Sequence, residues 1–222
     1  MRGLVAALAL LLSATAPAQA DAQARETMLD DFETPSPWTL IASDDVRATL
    51  RPVDGDPGRA LCIDFDFGRV TGYVAARRTL PIDFPARYEL ALSVRGNAPP
   101  NALQMKLVDA TGANVWWGRK NEFRVPPDWQ TLKFRQREIE FAWGPTPDRA
   151  LRQSASIELV IASGSGAGKG SVCFDRLELR ERRCCTADPE LECSEHPSGG
   201  VIDQTDRVLH RAPPFDARLR GT

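Results

Sequence analysis

The sequence predicts an all-β protein, a two-sheet antiparallel sandwich, on three observations. Short segments of alternating apolar and polar residues follow one another from Met28 to about Glu181, the period-2 pattern of strands with one buried face. Glycine and proline are frequent, 16 and 17 in number, and supply turn signals between these segments. No stretch shows a convincing helical period; the one weak helix candidate is 146–153. A closed barrel is the alternative architecture that these signals leave open.

The elements follow in order. Met28-Leu29-Asp30-Asp31-Phe32-Glu33 mixes apolar and acidic residues and stops at the breaker Pro35-Ser36-Pro37. Residues 38–41 and 46–53 read as short extended pieces separated by Ser43-Asp44-Asp45. In 61–67 the residues Leu61, Ile63, Phe65 and Phe67 point one way and the aspartates the other, so this is a half-buried antiparallel strand. Gly72-Tyr73 leads through a strand to Leu80-Pro81, and 88–94 and 103–108 repeat the alternation. Asp109-Ala110-Thr111-Gly112-Ala113 is a turn into Val115-Trp116-Trp117, a hairpin by its composition. Residues 128–134, entered through Pro126-Pro127, come next, then 157–161 and 171–179, joined by the Gly/Ser-rich connector 163–170.

The ends differ from this middle. Met1-Arg2-Gly3, the apolar run 4–12 and the small residues closing on Ala18-Gln19-Ala20 have the order of a secretory signal peptide, with cleavage expected after Ala20. The run is too short for a bilayer, which takes roughly 20 residues. An exported chain, periplasmic or secreted and without a membrane span, is therefore expected, with the sandwich at 25–183. Residues 184–222 are rich in Pro, Gly, Asp and Arg and lack apolar periodicity. Too little surface can be buried there to offset chain entropy, so a disordered tail or the end of a truncated or shifted reading frame is expected.

Composition narrows the function. A net charge of −2 with interspersed signs argues against nucleic acid, which needs a basic stripe or patch. Five cysteines cannot all pair within one chain; Cys62 and Cys173 are read as small packing residues rather than as a bridge. No spacing resembles a zinc site. Catalysis finds no constellation: both histidines, His196 and His210, fall outside the expected domain, and no nucleophile elbow is present. Glu138 and Glu140 alternate without a carboxylate across a cleft, and the segment 163–170 departs from a phosphate loop at two of its fixed positions. The chain is expected not to be an enzyme.

The opening Met28-Leu29-Asp30-Asp31-Phe32-Glu33 with Trp38, then Gly72-Tyr73 through Leu80-Pro81, Asp128-Trp129-Gln130-Thr131-Leu132 and Phe174-Asp175-Arg176-Leu177-Glu178-Leu179, resembles in order and spacing the family 11 carbohydrate-binding modules. The segment 138–145 is similar to N-terminal modules of larger bacterial glycan-active proteins with discoidin-like domains. The resemblance implies a galactose-binding-like jelly roll and a structural calcium between first and last strands, with Asp31, Glu33 and Asp175 as its ligands. It also implies a glycan ligand, and another module or enzyme of a glycan-degrading system as companion. Tyr73 matches a binding tyrosine of the family; most of the others are absent, because the chain has only Tyr73 and Tyr88.

Sugar recognition needs aromatic faces for the C–H surface of a pyranose and polar groups for its hydroxyls. Tyr73 and Arg77 share a face of one strand; Trp116 and Trp117 are neighbours on another, so one ring faces in and one out. Arg119 follows them, Lys106 is outward on its strand, and Trp143 stands beside Gly144-Pro145. These seven are the candidate ligand-binding residues, while Trp38 and Trp129 are read as core or sheet-edge packing. The expected function is a non-catalytic carbohydrate-binding module. The alternative is a structural or protein-interaction sandwich, which buried rather than exposed aromatics would favour.

Overall fold

Period-2 patterning gives each strand one apolar face, which is buried when one sheet is laid on another. The computed structural model, which describes residues 25–182, does this with twelve strands. They are β1 (Glu26–Asp30), β2 (Thr39–Ala42), β3 (Arg47–Asp54), β4 (Arg59–Asp66), β5 (Tyr73–Asp83), β6 (Tyr88–Asn97), β7 (Asn101–Val108), β8 (Val115–Phe123), β9 (Gln130–Arg135), β10 (Ile139–Trp143), β11 (Gln153–Ala162) and β12 (Lys169–Glu181). One sheet runs β3-β4-β12-β6-β9, with β1 also on β12, and the other runs β10-β8-β7-β11-β5-β2. Every pairing is antiparallel. The chain crosses repeatedly between the layers, the jelly-roll form of the expected sandwich; a barrel is not formed. The expected signal peptide and the tail 184–222 lie outside the described residues.

The core is the one the alternation announces. Leu61, Ile63, Phe65 and Phe67 are all at most 4% exposed and face Leu103, Met105, Leu107, Ile157, Leu159 and Ile161 of the other sheet. Each such side chain contributes roughly 1.5–3 kcal/mol by leaving water. Gly118 is required by this packing: a Cβ there would stand 2.5 Å from the Phe134 ring. The entry motif is a latch. The buried Asp30 carboxylate accepts the Trp38 indole N–H and the Phe32 backbone N–H, each at 2.8 Å, and pairs with Arg78.

Two expectations are corrected. No helix forms at 146–153; this is an irregular connector to β11, in which Asn114 Oδ1 accepts the Thr146 N–H and Asp148 accepts that of Ala150. The Asn114 and Asp148 side chains take backbone N–H groups of this segment and offer it an alternative to a helical turn. Cys62 and Cys173 are bonded rather than merely packed. They stand directly opposite each other on β4 and β12, on the outer face of that sheet, a register that sequence spacing does not reveal.

Strand β12 changes neighbours midway. Its first half, to Phe174, pairs with β4, and its second, from Leu177, pairs with β1. Asp175 falls between the two, at a bulge where Arg176 takes a positive φ of 47°.

Candidate functional site

Registers across the second sheet align one row of outward side chains over all six strands: Glu140, Trp117, Lys106, Glu158, Arg77 and Thr39, from β10 to β2. Neighbouring strands are about 4.8 Å apart, so the row is about 24 Å long. Tyr73 and Arg119 stand on the same face, and so does Trp143. Strict alternation would place Trp143 with the inward Phe141; a bulge between these two residues turns its ring outward instead.

The face is aromatic and cationic. Tyr73 is 37% exposed and Trp143 is 46% exposed. The Lys106 ammonium lies between them, 5.1 Å from the Tyr73 ring centre and 5.6 Å from that of Trp143. Trp117 meets Trp143 edge to face at 5.4 Å and carries the Arg119 guanidinium 4.4 Å over its own ring. Glu140 fixes this corner by accepting the Trp117 indole N–H at 3.2 Å and an Arg119 N–H at 2.9 Å. Glu158, buried beneath the face, accepts from Arg77 through Nε at 2.7 Å and through a terminal nitrogen. Its other oxygen is 4.0 Å from Lys106 Nζ. Burial pulls the Lys106 ammonium below its usual pKa; Glu158 opposes this and Arg77 adds to it.

Six of the seven residues nominated for ligand binding thus share one face: Tyr73, Arg77, Lys106, Trp117, Arg119 and Trp143. Trp116 does not, and its nomination is corrected. Its ring is 6% exposed inside the sandwich, edge-on to Phe141, with its indole N–H donated to the Arg149 carbonyl at 2.7 Å. Glu158 and Glu140 were not nominated. The signal available was a lone acid within the apolar strand 157–161, whose alternation sends it outward.

The outer face of the other sheet has a different character. A groove of about 590 Å³ at its edge is lined by Arg47, Asp64, Asp66, Asn97, Lys169 and Ser171 among others. Its acids are committed: Arg51 holds Asp64 below the usual carboxylate range through a hydrogen bond, and the Gly68 N–H and Arg47 do the same for Asp66. The half-buried Trp129 lies under the Arg95 guanidinium, 4.6 Å away.

The expected calcium ligands fall at the break beside β12, and they converge only in part. Burial raises the pKa of the Asp175 carboxyl; backbone N–H groups of Asp56 and Arg176 oppose this, and the neighbouring Glu33 raises it further. Glu33 accepts the Arg59 N–H at 3.0 Å. The loop between β3 and β4 closes over both acids. A Cβ on Gly58 would come 1.8 Å from Glu33 Oε1, and one on Gly55 would come 2.7 Å from both Asp175 Oδ2 and the Arg59 carbonyl. Asp31 is turned away: exposed, it accepts the Glu33 N–H at 3.2 Å. Among the described residues no three Asp, Glu, His or Cys side chains form a metal-holding group. Two adjacent carboxylates enclosed by backbone fit a hard cation that also takes carbonyl oxygens.

No protein-family model matches the chain, and no curated protein matches its sequence. Solved structures do match in shape. A family 11 carbohydrate-binding module from Clostridium thermocellum, in complex with a β-1,3-1,4-mixed-linked tetrasaccharide, superposes with a TM-score of 0.59 at 17% identity, over 72% of this chain and 98% of that one. The family 11 module of a cellulosomal cellulase from the same organism gives 0.58 at 17% identity, over 72% and 97%. A family 30 module of another of its cellulosomal cellulases gives 0.51 at 14% identity, over 71% and 98%. The chain therefore has the jelly-roll fold of the family 11 and family 30 carbohydrate-binding modules.

Proposed function

We propose that the chain is an exported, non-catalytic module that binds a polysaccharide or oligosaccharide along the β10-β8-β7-β11-β5-β2 face. The carrying observation is the convergence of Tyr73, Trp143 and Trp117 with Lys106, Arg77 and Arg119 on one surface. Exposed rings offer stacking surfaces to the C–H faces of sugars, and the cationic donors between them address hydroxyls. A platform about 24 Å across suits an extended chain rather than one sugar. The modules of like fold support this reading, the 1–20 leader pattern supports export, and a companion enzyme or module would use the bound glycan. Affinity gel electrophoresis over a panel of polysaccharides tests it: retardation by a defined glycan that is lost in Tyr73→Ala or Trp143→Ala is expected. A folded protein retarded by no glycan would leave the protein-interaction alternative in its place.

Calcium belongs to the same proposal, in a structural role at Glu33 and Asp175 with backbone oxygens of the loop between β3 and β4. Bound there, it would neutralise two acids that now repel each other. Saturating calcium, at about 100 times its dissociation constant, should add about 2.7 kcal/mol to stability. The expected rise in melting temperature over an EDTA-treated sample should vanish in Asp175→Asn; no rise in the parent protein would refute the metal.

A further inference from the structure

The charges on the aromatic face do not balance. Three cations, Arg77, Lys106 and Arg119, meet two carboxylates, Glu158 and Glu140, although the whole chain carries a net charge of −2. Arg77 and Arg119 have taken their partners by direct hydrogen bonds. Lys106 has not. Its nearest carboxylate oxygen is 4.0 Å away, a Coulombic contact too long for a hydrogen bond, and Lys106 donates no hydrogen bond among the described residues.

This matters because the Lys106 side chain is only 15% exposed, so little water replaces the missing acceptors. The flanking rings of Tyr73 and Trp143 attract the positive charge through their π faces, yet they accept none of its three N–H donors in the ordinary sense. The cation is held in place with its donors unspent, between the two rings most exposed to a ligand. A neutral hydroxyl can accept one such donor. An oxyanion accepts more strongly and also cancels the excess charge.

We infer that the glycan bound on this face is anionic, a polymer carrying carboxylate or sulfate groups, with one such group received by the Lys106 ammonium between Tyr73 and Trp143. This rests on the sugar-binding reading and sharpens it. The lowering of the Lys106 pKa by burial agrees, since a cation penalised by desolvation gains most from an incoming anion.

The test uses polymers matched in backbone and differing in charge: polygalacturonate against its methyl ester, carboxymethylcellulose against hydroxyethylcellulose, and carrageenan against agarose. Binding of the full chain is measured by affinity gel and calorimetry at low and high salt. The anionic member of at least one pair should bind tenfold or more tightly at low salt, with the ratio shrinking at high salt; which pair responds separates carboxylate from sulfate. Lys106→Gln should abolish the preference and Lys106→Arg should keep it, with both variants folded as judged by circular dichroism and a cooperative melt. Lys169→Gln, on the opposite sheet, should leave it intact, which separates site binding from general ion exchange. Neutral members bound as well as anionic ones would overturn the inference while leaving the sugar-binding reading standing. A preference that survives Lys106→Gln would overturn the assignment to Lys106. Failure of every polymer would take down both.

Discussion

The two outer faces of the sandwich are built on the same strand geometry and spend their side chains differently. On the sheet that contains β12, arginines are matched to acids, Arg51 to Asp64 and Arg47 to Asp66, a disulfide joins β4 to β12, and the Trp129 ring is half buried under Arg95. On the β10-to-β2 sheet, the Tyr73 and Trp143 rings are partly exposed and Lys106 donates no hydrogen bond among the described residues. A face whose charges are paired internally, with the Trp129 indole N–H and one Glu89 oxygen its only buried side-chain atoms without a hydrogen bond among the described residues, has little charge left for a ligand. One that leaves rings and donors unspent is suited to recognition, and this contrast, rather than the fold, directs the functional reading.

Mutations at adjacent positions give the largest test of that contrast. Trp116→Ala should cost about 3–5 kcal/mol in urea unfolding, because it empties the core. Trp143→Ala, at an exposed ring, should stay within about 1 kcal/mol, and Trp117→Ala, at a half-buried ring, should cost less than Trp116→Ala. Trp143→Ala should nevertheless weaken glycan binding by about tenfold or more. Equal destabilisation by Trp116→Ala and Trp117→Ala would erase the distinction between inner and outer ring.

Next in size is the disulfide. It closes a loop with a sequence separation of 111 residues, and the paired Cys62→Ala, Cys173→Ala variant should lose about 2–5 kcal/mol. Glycan affinity of the protein that remains folded should be unchanged, since the bridge lies on the other sheet. A loss of affinity without loss of stability would show that the two faces are coupled.

The smallest effects are in pH, and they fall on opposite limbs. The Asp64 carboxyl is held low by the Arg51 hydrogen bond. Burial alone would raise Glu178, but hydrogen bonds from Arg180 and Arg176 outweigh it and hold it low too. Their contribution is present above the ordinary carboxylate range near pH 4 and is lost as pH falls through the depressed values. Solvent screening limits the exposed Arg51–Asp64 pair to about 0.2–1 kcal/mol. Asp64→Asn should flatten the acid limb of a urea-midpoint profile. Lys106 gives a slope of the same sign in the alkaline range, from a shift that costs stability at neutral pH instead of adding to it. Its folded pKa lies below its ordinary value near 10.4, so the unfolded chain holds more protons between the two and stability rises with pH across that window. Lys106→Gln should remove that alkaline rise; a profile unchanged by it would mean the burial of Lys106 has no energetic consequence.

Much of this was legible in the residues. Alternation at 61–67, 88–94 and 103–108 marks strands and their inward faces, and the turn at 109–113 forms as composition suggests, with Asp109 accepting from Thr111 and Asn114. Tyr73 and Arg77 share a face because both lie in phase on one strand. What the chain does not spell is register. The bond between Cys62 and Cys173, the row that places Glu158 between Lys106 and Arg77, and the inward choice of Trp116 over Trp117 all depend on which strands become neighbours. The bulge that turns Trp143 outward breaks the period on which sequence reading relies. Asp31 and Glu33 look equivalent as acids two apart, yet the positive φ of 57° at Phe32 separates their directions.

The split pairing of β12 has a consequence for how this molecule comes into being. Strands β1, β4 and β6 are complete long before β12 is synthesised, but none of the three pairs with another of them. Their common partner is the last strand described. During synthesis the growing chain therefore holds this sheet in separate pieces, with its longest-range contacts still to be made. A chain cut before β12 should remain unfolded and prone to aggregation, and assembly should wait until Glu181 has emerged.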